Sequence, residues 1–295
     1  MPGEMTDEAT ALATLGSLVT HARRVLQEAG KAEAALDARL IVEHATGATR
    51  TQLLLEPEQA VSTGTVAATL AMLERRVAGE PVFRIIGKRE FYGLMLSLSP
   101  GTLEPRPDTE ALVDLALPFV RAAADMHGRC HILDLGTGTG AVALALVAAE
   151  PRADALASDI SDDALVTAAR NADMTGNATR MRTVQSDWYV AIEGRFHIIV
   201  SNPPYIASNE IEALAQEVRA HDPLAALDGG FDGLDAYRVI AEGAAAHLEA
   251  GGVVAVEIGI GQEVAVEAIF AGCGFRLLSK VEDLGSVLRA LAFAQ

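Results

Sequence analysis

His131-Ile132-Leu133-Asp134-Leu135-Gly136-Thr137-Gly138-Thr139-Gly140 is an apolar strand signal that breaks into three glycines at alternate positions. Glycine lets the backbone take positive φ and brings peptide N–H groups against a ligand with no side chain in between. The residues that follow, up to 149, are apolar throughout, so the unit reads strand, tight turn, helix. Asp159 lies nineteen residues beyond Gly140, at the end of a second predicted strand. A carboxylate at that position accepts hydrogen bonds from ribose hydroxyls. Gly136, Gly138 and Ala141 also satisfy the looser dinucleotide pattern, so this stretch alone leaves a nicotinamide-dependent oxidoreductase open.

Outward from this turn, strands are predicted at 131–135, 155–159, 181–185, 196–201, 253–258, 275–281 and 288–293. Helices are predicted between them at 140–149, 162–174, 234–248 and 262–271. Such alternation implies an α/β fold with a mostly parallel sheet, helices on both faces, and ligand at the carboxyl ends of the strands. Toward the N terminus, from about residue 8 to 80, Leu12, Leu15, Val19, Leu26, Leu36, Leu40 and Ile41 recur at helical spacing. Gly30, Gly47, Pro57 and Gly64 are read there as helix stops, and residues 66, 70, 73 and 77 as one apolar face. Between 79 and 107, Phe83, Ile85, Phe91, Leu94, Leu96 and Leu98 approximate alternation around Gly87 and Gly93, which predicts a hairpin. The expected organisation is a helical bundle at 1–80, a β-hairpin linker at 81–107 and the α/β domain at 108–295.

The fourth of these strands delivers Asn202-Pro203-Pro204-Tyr205 at its carboxyl end. Consecutive prolines have no N–H and a fixed φ, so the chain leaves the sheet with rigidly held carbonyl acceptors. The Asn202 amide oxygen and the Pro203 carbonyl could each take one N–H of an amino or amide nitrogen and orient its lone pair toward an electrophile. Tyr205 is read as packing on the planar group or lying near a cationic methyl donor.

Composition narrows the classes further. Half of the 295 residues are hydrophobic, which excludes disorder, and 23 Lys and Arg stand against 40 Asp and Glu for a net charge of −17. That balance argues against affinity for nucleic-acid phosphates or an anionic membrane. Cys130 and Cys273 form no CxxC pair, so neither a disulfide framework nor a thiolate zinc site is expected, and a reducing cytoplasm fits. Residues 1–8 are acidic and lack a signal-peptide pattern. His127 and His131 are four apart, but Gly128 and a strand start intervene, so no shared helix face and no metal pair is expected.

Taken together, these motifs resemble the class I S-adenosylmethionine-dependent methyltransferases, and within them the HemK/PrmC family of protein-(glutamine-N5) methyltransferases of peptide chain release factors. The resemblance covers nearly the whole chain. It includes Phe91-Tyr92-Gly93, Pro105-Arg106-Pro107-Asp108-Thr109-Glu110, the Asp134 to Gly140 loop, Asp187-Trp188, Asn202 to Tyr205, Ala226-Leu227-Asp228-Gly229-Gly230, and Glu257-Ile258-Gly259 with Gln262. It implies a Rossmann-like seven-stranded sheet preceded by a small helical domain that docks substrate. It implies that Gly136, Thr137, Gly138, Thr139 and Gly140 hold the methionine part of the cofactor, Asp159 its ribose, Trp188 with Asp187 its adenine, and Asn202, Pro203, Pro204 and Tyr205 the glutamine amide. The implied cofactor is S-adenosylmethionine with no metal, and the implied partner is a release factor, with no direct nucleic acid and no membrane. A nucleic-acid amino methyltransferase, acting on adenine N6 or guanine N2, is the competing reading, because such enzymes carry a similar Asn-Pro-Pro-Tyr turn; a non-catalytic scaffold on the same fold is a third. Glu104 stands where the family usually has an aliphatic residue, so altered packing is expected at the pocket edge.

Overall fold

The computed structural model describes residues 12–295; the acidic opening 1–8 and the first residues of the predicted bundle lie outside the described residues. The chain divides into two compact units, residues 1–87 and 88–295.

Among the described residues of the first unit, five helices occupy Leu15–Glu28, Ala34–Thr46, Arg50–Leu55, Thr63–Val77 and Val82–Ile86. Thr14 and Thr49 start the first and third with capping boxes, and Ser62 caps the fourth through the Thr65 N–H. Because Ser62 is that cap, Gly64 sits in the first turn of a helix and is not a stop. Leu18, Ala22, Leu26, Ala38, Ile41, Val42, Val66 and Leu73 form the core, while Val77 of the predicted face is exposed. Residues 82–86 are helical and not part of a hairpin. Pro81 opens this turn of helix and Gly87, at φ +74°, closes it, so the apparent alternation of Phe83 and Ile85 was a short helical face.

The second unit opens with an antiparallel hairpin, β1 (Lys88–Phe91) and β2 (Leu94–Ser97), joined by Tyr92 and Gly93, both at positive φ. A helix that the sequence pattern did not predict follows at Glu110–His127. The remaining strands are β3 (Cys130–Leu135), β4 (Ala153–Asp159), β5 (Met181–Gln185), β6 (Phe196–Ser201), β7 (Leu248–Glu257), β8 (Arg276–Glu282) and β9 (Leu288–Ala294). They form one seven-stranded sheet in the order β5-β4-β3-β6-β7-β9-β8, parallel from β5 to β7, with β9 inserted antiparallel. The expected α/β class holds, with helices Ala141–Ala149, Asp162–Met174, Asp235–His247 and Glu263–Gly272 on the two faces.

The central strands β3, β6 and β7 are apolar on both sides, and their residues alternate between two cores. Ile132, Ile198, Val200, Val253 and Ala255 face one, and Leu133, Leu135, Ile199, Val254 and Val256 the other. Strand order reverses between β3 and β6, so the chain leaves their carboxyl ends toward opposite faces of the sheet and opens a crevice, the place where open α/β sheets bind ligands. Both the glycine turn and Asn202 lie at these two strand ends. Among the described residues no helix is long and apolar enough to cross a membrane.

Candidate active site

The crevice opens into a cavity of about 880 Å³. Its floor is the glycine turn. Gly136, Gly138 and Gly140 have φ of +69°, +57° and +82°. A Cβ on Gly136 or Gly138 would meet nothing within 4 Å, so these two present bare backbone to the cavity. Gly140 differs: a Cβ there would press on Leu144, Ala168 and Met181 at 3.2–3.3 Å, and the residue does not line the cavity. Its absent side chain serves helix packing, which corrects the expectation that it faces the ligand.

Side chains lock the turn from several directions. Thr137 donates its hydroxyl to Asp134 at 2.6 Å, and the Gly138 N–H donates to Asp159 Oδ2 at 2.9 Å. Asp159 Oδ1 accepts from the Ser161 N–H at 2.9 Å. Asn171, wholly buried, donates to the Thr139 carbonyl at 2.9 Å, and exchanges bonds with the Ser97 N–H and carbonyl at 2.7 and 3.1 Å. It thereby ties the glycine turn to the end of β2, a role that no local pattern in the sequence signals.

Burial pushes the Asp134 carboxyl up to about 6, against the pull of the Thr137 hydroxyl and the Ala143 N–H, with Asp159 adding repulsion. A group whose pKa is raised on folding contributes stability fully present below its unfolded value and lost as pH rises through its folded value. Wild type is therefore expected to lose stability relative to Asp134→Asn as pH rises from about 4 to about 6, by about 3 kcal/mol in all. Urea denaturation of both proteins across that range checks this; a constant gap would mean that Asp134 titrates normally.

After β5, Asp187 and Trp188 line the cavity beside Asp159. Trp188 has φ +49°, and Ser186 holds this turn by donating to the Trp188 carbonyl at 2.8 Å and accepting from the Ala191 N–H at 3.0 Å. The indole is partly buried against the second core, and Asp187 is exposed.

The opposite wall is built on β6. Ser201 donates to the Leu135 carbonyl at 2.8 Å and fixes the spacing of the two strand ends. Asn202 lines the cavity, and its Nδ2 donates to the Thr109 hydroxyl at 3.1 Å. Pro204 lines the cavity too, whereas Pro203 is buried behind it. Tyr205 does not line the cavity. Its ring packs into the second core and its hydroxyl donates to Glu257 at 3.4 Å, so the expected stacking on a planar group is corrected. Burial and the neighbouring Glu257 push this phenol up to about 12.

Behind the turn, the Ile206 N–H donates to the Leu227 carbonyl at 3.0 Å and the Gly229 N–H to the Ile206 carbonyl at 2.8 Å. A Cβ on Gly229 would fall 2.8 Å from the Pro204 carbonyl, so the Leu227 to Gly230 segment is glycine-rich because it backs the proline turn directly. Gln262 completes this support by donating to the Tyr205 carbonyl at 2.9 Å. At the rim, Arg106 pairs with Asp222 at 2.6 Å and Arg289 with Asp108 at 2.9 Å. Glu104 is buried and pairs with Arg89 of β1, which explains how a carboxylate is accommodated at an aliphatic position. His127 and His131 both pack on the His197 ring, tilted with centroids 4.8 Å apart and stacked with centroids 5.5 Å apart, and His131 also bonds Asp154 at 2.8 Å.

Comparison with known proteins agrees with this architecture. Residues 17–87 match the family described as the PrmC N-terminal domain, and residues 113–230 match the methyltransferase small domain. A release factor glutamine methyltransferase from Agrobacterium fabrum is 51% identical over 95% of this chain and 97% of its own length. Proteins of the same name from Cereibacter sphaeroides and Caulobacter vibrioides are 43% and 40% identical over 88% and 92% of this chain, and 90% and 93% of their own lengths. Among solved structures, the hMettl16 catalytic domain in complex with a MAT2A 3'UTR hairpin superposes with a TM-score of 0.52 at 16% identity, covering 76% of this chain and 81% of that one, a likeness of fold alone. With the cofactor-type crevice of an α/β methyltransferase sheet and relatives of this identity along nearly its full length, the chain belongs to the release factor glutamine methyltransferase family.

Proposed function

We propose that this methyltransferase transfers a methyl group from S-adenosylmethionine to the side-chain amide nitrogen, N5, of the glutamine in the Gly-Gly-Gln motif of peptide chain release factors. The observation that carries the reading is the direction of the Asn202 amide. Thr109 occupies its Nδ2, so Oδ1 is the polar atom left to accept an N–H from an amide placed in the cavity.

The donor set fits the cofactor. Asp134, Asp159, Asp187, Asp228 and Asp235 line the cavity against one guanidinium, Arg106, an acidic surround suited to a molecule bearing a sulfonium and an ammonium. Asp159 is the candidate to hold the ribose, bare Gly136 and Gly138 the methionine part, and Trp188 the adenine. When bound, S-adenosylmethionine supplies an already activated electrophilic methyl.

The chain's own contribution is orientation. An amide nitrogen is a poor nucleophile because its lone pair is delocalised, and holding both of its N–H groups aims that lone pair. We assign Asn202 Oδ1 and the Pro203 carbonyl as the two acceptors for this task, although Pro203 itself is buried and does not line the cavity. The prolines keep them rigid, and Gly229 and Gln262 support the turn from behind. The proposed partner is thus a release factor acting as protein substrate in the cytoplasm.

Incubation of the protein with S-adenosylmethionine and a recombinant release factor, followed by peptide mass spectrometry, tests the reading. A single added methyl on the Gly-Gly-Gln glutamine is expected. Methyl transfer to RNA or DNA with none to that glutamine would replace this reading with a nucleic-acid amino methyltransferase.

A further inference from the structure

Pro203 and Pro204 have no N–H, so the acceptor turn has no donors of its own at its middle and must be held at its ends. The near end is fixed by the Ser201 hydroxyl on the Leu135 carbonyl, at 2.8 Å. The far end is the Tyr205 carbonyl, and the group that reaches it is the side-chain amide of Gln262, fifty-seven residues further along the chain.

Backbone groups set the direction of that amide. Its Oε1 accepts from the Gly259 N–H at 3.0 Å, and a peptide N–H can only donate. Its Nε2 donates to the Tyr205 carbonyl at 2.9 Å and to the Gly233 carbonyl at 3.3 Å, and a peptide carbonyl can only accept. A reversed amide would set N–H against N–H and oxygen against two oxygens. Glycines permit the close approach: a Cβ on Gly259 would fall 2.8 Å from Oε1, and one on Gly233 2.8 Å from Nε2. Gln262 stands at the start of helix Glu263–Gly272, yet its side chain makes no capping bond there.

Three segments therefore meet at one side chain: the loop after β7, the acceptor turn, and the glycine segment 229–233, whose Gly229 and Gly230 line the cavity. The Tyr205 and Gly233 oxygens converge on the same nitrogen, so without it both lose a donor and repel each other. We propose that Gln262 is a positioning residue for methyl transfer, which fixes where the Asn202 and Pro203 acceptors stand by tying the Tyr205 carbonyl to the glycine segment of the cavity wall. This inference rests on the reading that those acceptors hold a glutamine amide.

Gln262→Glu separates positioning from shape, because it changes only which atoms can donate. Protonated, the introduced carboxyl has an O–H for the Tyr205 carbonyl and an oxygen for the Gly259 N–H, so the turn stays held. Ionised, it sets a negative oxygen against the Tyr205 and Gly233 carbonyls, which displaces the turn and holds the introduced acid above the usual carboxylate range. Around it stand Tyr205 and Tyr237, both phenols pushed up by burial, with the Tyr237 hydroxyl 3.3 Å from Gln262 Oε1. Glu263, next in the chain, is paired with Lys280 at 2.6 Å. Glu257, at the end of β7, has its carboxyl pushed up to about 7 by burial and titrates in wild type too, so each rate is taken relative to wild type at the same pH. Gln262→Leu adds no titrating group and supplies the comparison.

The test uses the full chain in single-turnover transfer to a release factor, with S-adenosylmethionine and release factor saturating, from about pH 5 to about pH 8. Relative to wild type, Gln262→Glu is expected to stay within about threefold at the acid end and to fall roughly tenfold or more behind toward the alkaline end. Gln262→Leu should be slower by a similar factor at every pH, with cofactor affinity by calorimetry within about threefold of wild type for both variants. A merely structural role would lower stability to urea and leave the rate of the folded protein at its wild-type value. A constant ratio of Gln262→Glu to wild type across the range, which is decisive even where Gln262→Leu fails to fold, would overturn the inference. So would wild-type transfer by a folded Gln262→Leu protein, or a loss of cofactor affinity in step with rate; each leaves glutamine transfer by wild type intact. Failure of wild type to methylate the glutamine overturns the functional reading itself, and this inference falls with it.

Discussion

Asn202→Ala is expected to slow methyl transfer by roughly 10²–10³ while leaving S-adenosylmethionine affinity within about threefold of wild type. The large effect follows from what the side chain does and from what the surrounding structure has already invested in it. Asn202 sits where β6 ends, its strand spacing fixed by the Ser201 bond to Leu135 and its amide direction by Thr109. A preorganised acceptor of this kind costs no reorganisation at the moment of reaction, so removing it raises the barrier by about 3–4 kcal/mol. Alanine keeps the backbone of the proline turn, and the cofactor candidates Asp159, Gly138 and Trp188 lie at the end of β4 and in the turns after β3 and β5, which is why binding should survive. Single-turnover kinetics with a release factor, paired with calorimetric titration of S-adenosylmethionine, separates the two quantities. Undiminished transfer would remove Asn202 from the mechanism, and a parallel loss of cofactor affinity would move it to the cofactor side.

Much of this site is legible in the chain because its determinants are local. Strand β6 and helix Asp162–Met174 fall where the apolar run and the Ser161 cap put them, since a parallel strand buried on both faces reads as a continuous apolar stretch. Helix Glu110–His127 was not legible because Pro118 interrupts it. Its neighbours Leu117 and Val120 are buried while Pro118 itself faces outward, so the helix tolerates the lost N–H on its solvent side. The supports of the site escape a linear reading for a different reason. Thr109 meets Asn202 across ninety-three residues, Asn171 meets Ser97 across seventy-four, and Tyr205 meets Glu257 across fifty-two. Nothing in the local sequence around Glu257 distinguishes a carboxyl beneath an active site from one on a solvated strand end. Tyr205 shows the same limit, since an aromatic after two prolines can turn to ligand or to core, and here the second core claims it.

Asp159→Ala is expected to weaken S-adenosylmethionine binding by roughly a hundredfold, because two charge-assisted hydrogen bonds at about 1.5–3 kcal/mol each are at stake and about 1.4 kcal/mol corresponds to tenfold. The carboxylate has acceptor capacity to spare: Oδ2 takes the Gly138 N–H and Oδ1 the Ser161 N–H, each at 2.9 Å, and each oxygen retains a lone pair for a ribose hydroxyl. Asp159 thus has two tasks, holding the glycine turn and facing the cavity, and alanine removes both. Asp159→Asn separates them. Its one oxygen can keep the Gly138 contact, but its NH₂ cannot accept from Ser161 or from a second hydroxyl, so roughly tenfold weakening is expected with the turn largely kept. The charge has a further consequence at the floor of the site, because repulsion from Asp159 helps hold the Asp134 carboxyl up at about 6. Either substitution removes that repulsion, so the pH window of the Asp134 effect should move to lower pH in both variants. Calorimetric titration of the three proteins, with urea denaturation across the same pH range, therefore reads the ribose assignment and the coupling of the two acids together. Cofactor affinity equal to wild type in a folded Asp159→Ala protein would undo the ribose assignment and leave Asp159 as a brace for the turn.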